Sequence, residues 1–272
     1  MSGKSLSIFL RPLAIVLALV PFFAQLCQGE TLYERSLSRF QAKALKVAPD
    51  DFTFVVLGDS RDGDALFRKT LRLAKSFDPL FILHGGDYSD GGGEAQTARF
   101  LLLVNESLPK VPLFVVMGNH ENREVFVKKI GPLDFTLESK RLGLTLVAVD
   151  NSDYALNGGE LDYLKTRLAT AFRTGFVAMH IPPKTERWSW HAFSEGADGL
   201  KRTLAEGRVQ GAFFSHMHLF DRSEFGGVPA IVTGGAGAPL YHLGFTGNAV
   251  HHIVVVRVKK GKASYRMVPL SK

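Results

Sequence analysis

The chain has a single cysteine, Cys27, in 272 residues. Cys27 lies in an N-terminal segment that reads as an export signal, so the mature chain is expected to have none. That excludes disulfides, thiolate metal sites and a cysteine nucleophile. The sequence has no run of five or more basic residues and no basic stripe interleaved with aromatics, so no nucleic-acid partner is expected. It also has no internal repeat, low-complexity tract or composition shift that would mark a second domain. With 46% hydrophobic and 22% charged residues, 27 Gly and 12 Pro, it is not a disordered, collagen-like or multi-span membrane chain. The length suits one large domain or two small ones, and either could bury a core.

Residues 1–29 have the three parts of a signal peptide. Lys4 and Arg11 form a basic start, Leu13 to Phe23 an apolar stretch broken by Pro21, and Cys27-Gln28-Gly29 puts small residues at −3 and −1 before Glu30. The competing reading is a single membrane anchor, because Pro12 to Gly29 carries no charge and just reaches spanning length. Pro21 and Gln25 argue against it, and Leu26 argues against a lipid on Cys27. The expectation is an exported protein, periplasmic or extracellular, with a membrane partner only if the segment stays uncleaved. Loss of Lys4 and Arg11 takes the formal charge from +7 to +5, a modest excess that suits anionic ligands in general.

Beyond the signal, short apolar runs alternate with amphipathic stretches. The first half reads as strand at Phe52 to Leu57, helix at Asp64 to Phe77, strand at Leu80 to Leu83, helix at Glu94 to Leu108 and strand at Leu113 to Met117. Further strands are expected at Leu144 to Val149, Phe176 to Met179, Ala212 to Phe214, Ala230 to Thr233, Ile253 to Val258 and Ala263 to Val268. Gly158 to Phe172 and Glu195 to Glu206 read as helices, and Lys259-Lys260-Gly261-Lys262 as a hairpin turn. The alternation indicates an α/β domain over residues 51–272. Residues 30–50 read as a helical extension, with Tyr33 to Lys46 a helix packed outside the main unit.

Five apolar strands run directly into metal-capable side chains. Leu57 leads to Asp59, Leu83 to Asp87, Met117 to Asn119 and His120, Met179 to His180, and Phe214 to His216 and His218. Ligands gather outside the carboxyl ends of strands in open α/β sheets, so these groups are placed on one rim. Singly, each has an ordinary alternative: an Asp that caps a helix or turn, or a histidine in a loop. The ordered set is more specific than its parts.

That set resembles the calcineurin-like metallophosphoesterases, whose five blocks are Asp-x-His, Gly-Asp-x-x-Asp, Gly-Asn-His-Glu or Asp, His, and Gly-His-x-His. Here they read Gly58-Asp59-Ser60-Arg61, Gly86-Asp87-Tyr88-Ser89-Asp90, Gly118-Asn119-His120-Glu121, His180 and Ser215-His216-Met217-His218. The resemblance implies a four-layer α/β/β/α sandwich of two mixed sheets. It implies Asp59, Asp87 and His218 around one metal and Asp87, Asn119, His180 and His216 around another, with Asp87 bridging. Such mixed oxygen and nitrogen ligands suit divalent transition metals, Mn, Fe, Zn or Ni. The implied activity is hydrolysis of a small phosphate ester by hydroxide formed between two cations, with His120 touching phosphate or protonating the leaving oxygen.

Two positions depart from the pattern: Ser215 replaces a glycine, and Arg61 replaces a ligand histidine. A guanidinium has no lone pair to donate, so Arg61 is expected to hold phosphoryl oxygens with its fork. The alternative is a catalytically weak metal- or phosphate-binding protein that keeps the fold. Gly234-Gly235-Ala236-Gly237 reads as a turn after a strand, not a dinucleotide loop. Trp188, Trp190 and His191 form either a substrate wall or a lid packed down on the domain. Asp150 is a supporting acid or a turn former, and His84, His242, His251 and His252 read as structural.

Overall fold

A computed structural model describes residues 29–241 and 246–271; all but Gly29 of the expected signal, and His242, lie outside the described residues. The chain runs through α1 (Leu32–Ala44), β1 (Asp51–Leu57), α2 (Asp64–Lys75), β2 (Ile82–His84), α3 (Glu94–Ser107), β3 (Leu113–Val115), α4 (Arg123–Lys129), β4 (Phe135–Ser139) and β5 (Leu144–Ala148). It continues through α5 (Gly158–Ala169), β6 (Thr174–Ala178), α6 (Ala197–Glu206), β7 (Val209–Phe214), β8 (Phe220–Phe225), β9 (Val228–Thr233), β10 (His252–Lys259) and β11 (Lys262–Pro269). One sheet has the order β11-β10-β1-β2-β3 and the other β4-β5-β6-β7-β9-β8. In the first, β1, β2 and β3 are parallel and β10 and β11 antiparallel. In the second, β5, β6, β7 and β9 are parallel, and β4 and β8 are antiparallel edges. Among the described residues, no helix is long and apolar enough to cross a membrane.

Strands that are apolar throughout must be covered on both faces, and β1 shows how. Phe54 and Val56 point between the sheets into a core shared with Leu146, Phe176 and Phe213, while Val55 and Leu57 point outward against Phe67, Leu71 and Phe100 of α2 and α3. The second sheet turns Val147, Val177 and Phe214 outward onto Leu164 and Leu168 of α5 and Leu200 and Leu204 of α6. The result is a four-layer α/β/β/α sandwich of two mixed sheets. Phe54 links the two halves, stacking on Phe81 at 4.8 Å and meeting the Phe176 ring edge-on at 5.0 Å.

One expectation is corrected. The helix in residues 30–50 forms, but it does not pack outside the main unit. Its capping box of Thr31 and Glu34 starts a helix whose Leu32, Ser36, Phe40 and Ala44 are buried. Phe40 enters the core between the sheets against Phe81 and Phe114, and Ser36 Oγ accepts the amide of Leu113 at the start of β3. The four-residue spacing presents one narrow buried stripe, which identifies no partner in the sequence.

The elements α4, β4 and β8 were not expected. The first has seven residues, and the other two are edges that mix polar and apolar side chains, as in the Asp221-Arg222-Ser223-Glu224 stretch of β8. The turn between β10 and β11 forms as expected: Lys260 and Gly261 both have positive φ, 52° and 72°, as a two-residue hairpin turn of this twist requires. The pairings Leu57↔His84 and His84↔Val115 align the carboxyl ends of the first three strands. The register Ala178↔Phe213 does the same across the seam for β6 and β7.

Candidate metal centre

At that rim the backbone leaves the strands abruptly. Asp59, Asp87 and His216 all have left-handed backbones, with φ of 57°, 56° and 66°, a cost that persists only where the surroundings enforce it. Here the loops enforce it on one another. Asp59 N donates to Gly86 O at 3.0 Å, the amides of Ser60 and Arg61 donate to Asp87 O, and His216 N donates to Asp59 Oδ2 at 2.9 Å. Glu121 joins the second and third loops: its buried carboxylate accepts amides from Asp87, Tyr88, Ser89 and Gly118. A Cβ on Gly118 would sit 2.2 Å from Asp87 Oδ1, so only glycine fits there.

Ser215, the departure in the last block, is accommodated. Its hydroxyl donates to Thr233 O at 3.1 Å and occupies the space that Gly58 and Gly85 leave, where an added Cβ would come within 2.1 and 2.0 Å of it.

The side chains converge in two groups that share Asp87. Ligand atoms of Asp87, His180 and His216 lie within 4.8 Å of one another, as do those of Asp59, Asp87 and His218. Around His180 Nε2 stand Asn119 Oδ1 at 3.0 Å, His216 Nδ1 at 3.2 Å and Asp87 Oδ1 at 3.3 Å. Ligands at ~2.1 Å from one ion are separated by about 3.0–3.4 Å, so this spacing fits a cation. The outer ring atoms are already engaged. His180 Nδ1–H donates to Gly85 O at 2.7 Å and His218 Nδ1–H to Pro239 O at 2.6 Å, which turns each Nε2 inward. Asp59 Oδ1 is buried without a hydrogen-bond partner and lies 3.7 Å from His218 Nε2. An orphaned carboxylate oxygen beside an inward imidazole nitrogen is what a second cation would satisfy.

Charge supports the same assignment. Burial lowers the His216 and His218 rings, to about 2 and about 4, leaving both neutral with a lone pair to give. Burial would lower His180 as well, but the adjacent Asp87 carboxylate outweighs it and pushes the ring up to about 9. Burial also raises Asp87, yet His180 more than compensates and holds it well below the usual carboxylate range. Asp59 and Glu121 are pushed up by burial and by Asp87, Glu121 to about 8.

Arg61 and His120 lie at the mouth. Arg61 pairs with Asp90, and its Nε is buried without a partner. His120 Nδ1 lies 3.2 Å from Asp90 O and its Nε2 3.9 Å from Asp87 Oδ2, with 30% of the side chain exposed. The structure thus brings together all eight sequence-derived candidates.

Sequence reasoning missed three supports. Tyr154 Oη is 2.9 Å from His216 Nε2. Buried Asn151 accepts the amides of His180 and Ile181 on Oδ1 and returns a bond to Ile181 O. The Tyr241 ring stacks on His218 at 4.4 Å. Asn151 had a signal, since it follows β5 as the ligands follow their strands.

The tryptophan loop divides. Trp188 is buried with Nε1 on Asp221, whereas Trp190 is half exposed and touches His191. Asp150 accepts Arg123 and the Ser152 amide, a supporting and turn-forming role. His84 is structural, between Ser60 Oγ and the Gly86 amide, and His251 and His252 bond to carbonyls of their own loop. The glycine-rich turn at 234–237 presses on Asp59, with its Ala236 amide on Gly58 O.

The family model described as calcineurin-like phosphoesterase matches residues 52–220. The chain belongs to this family. Calcineurin-like phosphoesterases of solved structure share its fold at low identity. A purple acid phosphatase from yellow lupin seeds superimposes with TM-score 0.64 at 14% identity, over 80% of this chain and 52% of the lupin protein, so the chain spans about half of that enzyme. A dimetal phosphatase from Danio rerio gives 0.62 at 13% identity, over 82% and 100%. A Plasmodium protein described as the anchor in the inner membrane complex gives 0.64 at 16%, over 82% and 85%. No curated protein matches the chain.

For a calcineurin-like phosphoesterase with this candidate ligand set, a ring at His180 pushed up to about 9 gives up a proton when a cation binds at neutral pH. The apparent affinity for Mn or Zn should therefore rise with pH between about pH 6 and 8. Titration calorimetry at several pH values checks this; an affinity that does not change over that range would remove His180 from the ligand set.

Proposed function

We propose that the chain is an exported, metal-dependent phosphoric ester hydrolase acting on a small phosphate ester. The observation that carries the reading is the shared carboxylate: Asp87 belongs to both ligand groups, one completed by His180 and His216 and the other by Asp59 and His218. Asn119 Oδ1, beside His180 Nε2, adds a ligand to the first group. Two cations held there would supply an acidified water and offset the charge of phosphoryl oxygens.

The chain's own residues do the rest. His120, held through Nδ1 by Asp90 O with its Nε2 3.9 Å from Asp87 Oδ2, protonates the leaving oxygen. Arg61, anchored by Asp90, turns its remaining N–H groups to the phosphoryl oxygens. Export rests on the charge and hydropathy pattern of residues 1–29.

Arg61 also favours a second reading, a catalytically weak metal- or phosphate-binding protein, because it removes one ligand from the group at Asp59. The Plasmodium neighbour that shares the fold is described as an anchor, which supports this reading. Metal content measured together with hydrolysis of a monoester and a diester separates the two.

Asp87→Ala should strip both cations and abolish turnover, whereas His120→Ala should lower kcat by ~10²–10⁴ with metal content retained. Elemental analysis beside kinetics reads both, and metal loss in the His120 variant would make that residue structural. Arg61→Ala should weaken substrate binding or turnover without metal loss, and Arg61→His should raise affinity at the Asp59 group; an alanine variant as active as the parent removes the phosphate role. Mass spectrometry of protein from its native host should find an N-terminus near Glu30, and an intact Met1 in the membrane fraction would establish the anchored form instead.

A further inference from the structure

One side of the candidate centre is built of rings. Tyr154 meets the edge of His216 at 5.3 Å between centroids, and His191 lies 5.5 Å from His216 and 5.8 Å from Tyr241. Tyr241 stacks on His218, nearly parallel at 14°. Trp190 continues the series outward, 5.2 Å from His191. The chain of rings therefore starts on the two histidines of the last block and ends at the surface.

Exposure follows the same path. Among the described residues, the large hydrophobics that stand exposed include only two aromatics, Tyr154 at 41% and Trp190 at 50%, and both belong to this series. Large rings are normally covered, and exposed rings linked through the histidines of a polar site mark a place where something flat binds. Two residues before Trp190, Trp188 is fully buried. The loop thus spends one tryptophan on the core and presents the other outside. The other groups at the mouth, Arg61, Asp90 and His120, are polar and charged, and Arg61 is close enough to Tyr241 to feel its phenol.

From this series of rings and its exposed members we infer that Trp190, His191 and Tyr241, with Tyr154 beside His216, form a subsite for the organic part of the substrate, and that this part is a planar aromatic or heteroaromatic ring. The inference rests on the phosphoesterase reading for the placement of the phosphoryl group beside Asp59 and Asp87. Given that placement, an alcohol leaving the phosphorus on the histidine side runs along the ring series. A flat group gains by stacking there, while a small aliphatic alcohol leaves the rings wet.

The test uses two esters with the same leaving oxygen. Adenosine 5′-monophosphate and ribose 5-phosphate both release a ribose 5′-hydroxyl and differ in the base. The nucleotide should be preferred by about tenfold or more in kcat/KM, the size of one base–aromatic stack, and Trp190→Ala should bring the ratio toward one.

Binding is read separately. Trp190 is the exposed one of the two tryptophans in the chain, so adenosine should quench intrinsic fluorescence saturably in the full-length protein and not in the Trp190→Ala variant. His191→Ala should weaken the same quenching. Equal kcat/KM for the two esters with no saturable quenching overturns the subsite, as does a preference that survives Trp190→Ala. If neither ester is hydrolysed but quenching occurs and depends on Trp190, the aromatic subsite stands and the hydrolase reading fails.

Discussion

Three carboxylates, those of Asp59, Asp87 and Glu121, are packed together at the seam between the sheets, at 0%, 1% and 8% exposure. Buried acids this close oppose one another's ionisation and lose hydration, which pushes Asp59 and Glu121 up and makes the partners of each oxygen decisive. Glu121 finds partners in four backbone amides. Asp87 finds them in His180 and in the His120 amide. Asp59 is served on one oxygen by the His216 amide and on the other by nothing. The buried acid oxygens are thus satisfied by the protein in all but one case, and that one, Asp59 Oδ1, lies beside the inward Nε2 of His218. The left-handed backbones at Asp59, Asp87 and His216 belong to the same account: the loops accept local strain because only that path directs carboxylates and imidazoles at one point.

Arg61 fits this balance without acting as a ligand. Its guanidinium is tied to Asp90, on the same loop as Asp87, and Asp90 also lies 3.5 Å from His120 Nδ1. One exposed carboxylate therefore steadies both groups assigned to the substrate. A histidine at position 61 would add a nitrogen to the inner cluster; the arginine instead puts a fixed positive charge at the mouth, where an anion enters.

Much of this was legible in the sequence, for a physical reason. Parallel strands buried on both faces must be continuously apolar, so the abrupt switch to Asp59, Asp87, Asn119 or His180 at a strand end is visible in one dimension. Supports that come from loops are not. Tyr154 sits in an irregular turn after β5, and Tyr241 in the long connection after β9; only the fold brings them to His216 and His218. The polar edge strand β8 was missed because edges need no continuous apolar pattern, and α1 was misplaced because a single buried stripe does not say what it packs on. Trp188 and Trp190 were indistinguishable in the sequence, and Asp221 separates them by accepting the Nε1–H of one.

The two halves of the centre come from different sheets. Asp59, Asp87, Asn119 and His120 follow β1, β2 and β3, whereas His180, His216 and His218 follow β6 and β7. Among the described residues no strand pairing joins the halves, so their separation is set by the core between the sheets, where Phe54 packs on Phe81, Phe176 and Phe213. Close-packed interiors transmit small displacements. The 3.3 Å from Asp87 to His180 is therefore a property of the phenylalanines beneath the site as much as of the loops around it. The bonds that cross the seam directly, His216 N to Asp59 and His180 Nδ1 to Gly85 O, lock a spacing the core has already chosen. Helix α1 plugs that core with Phe40, which makes a segment far from the rim in sequence part of what fixes the rim's geometry.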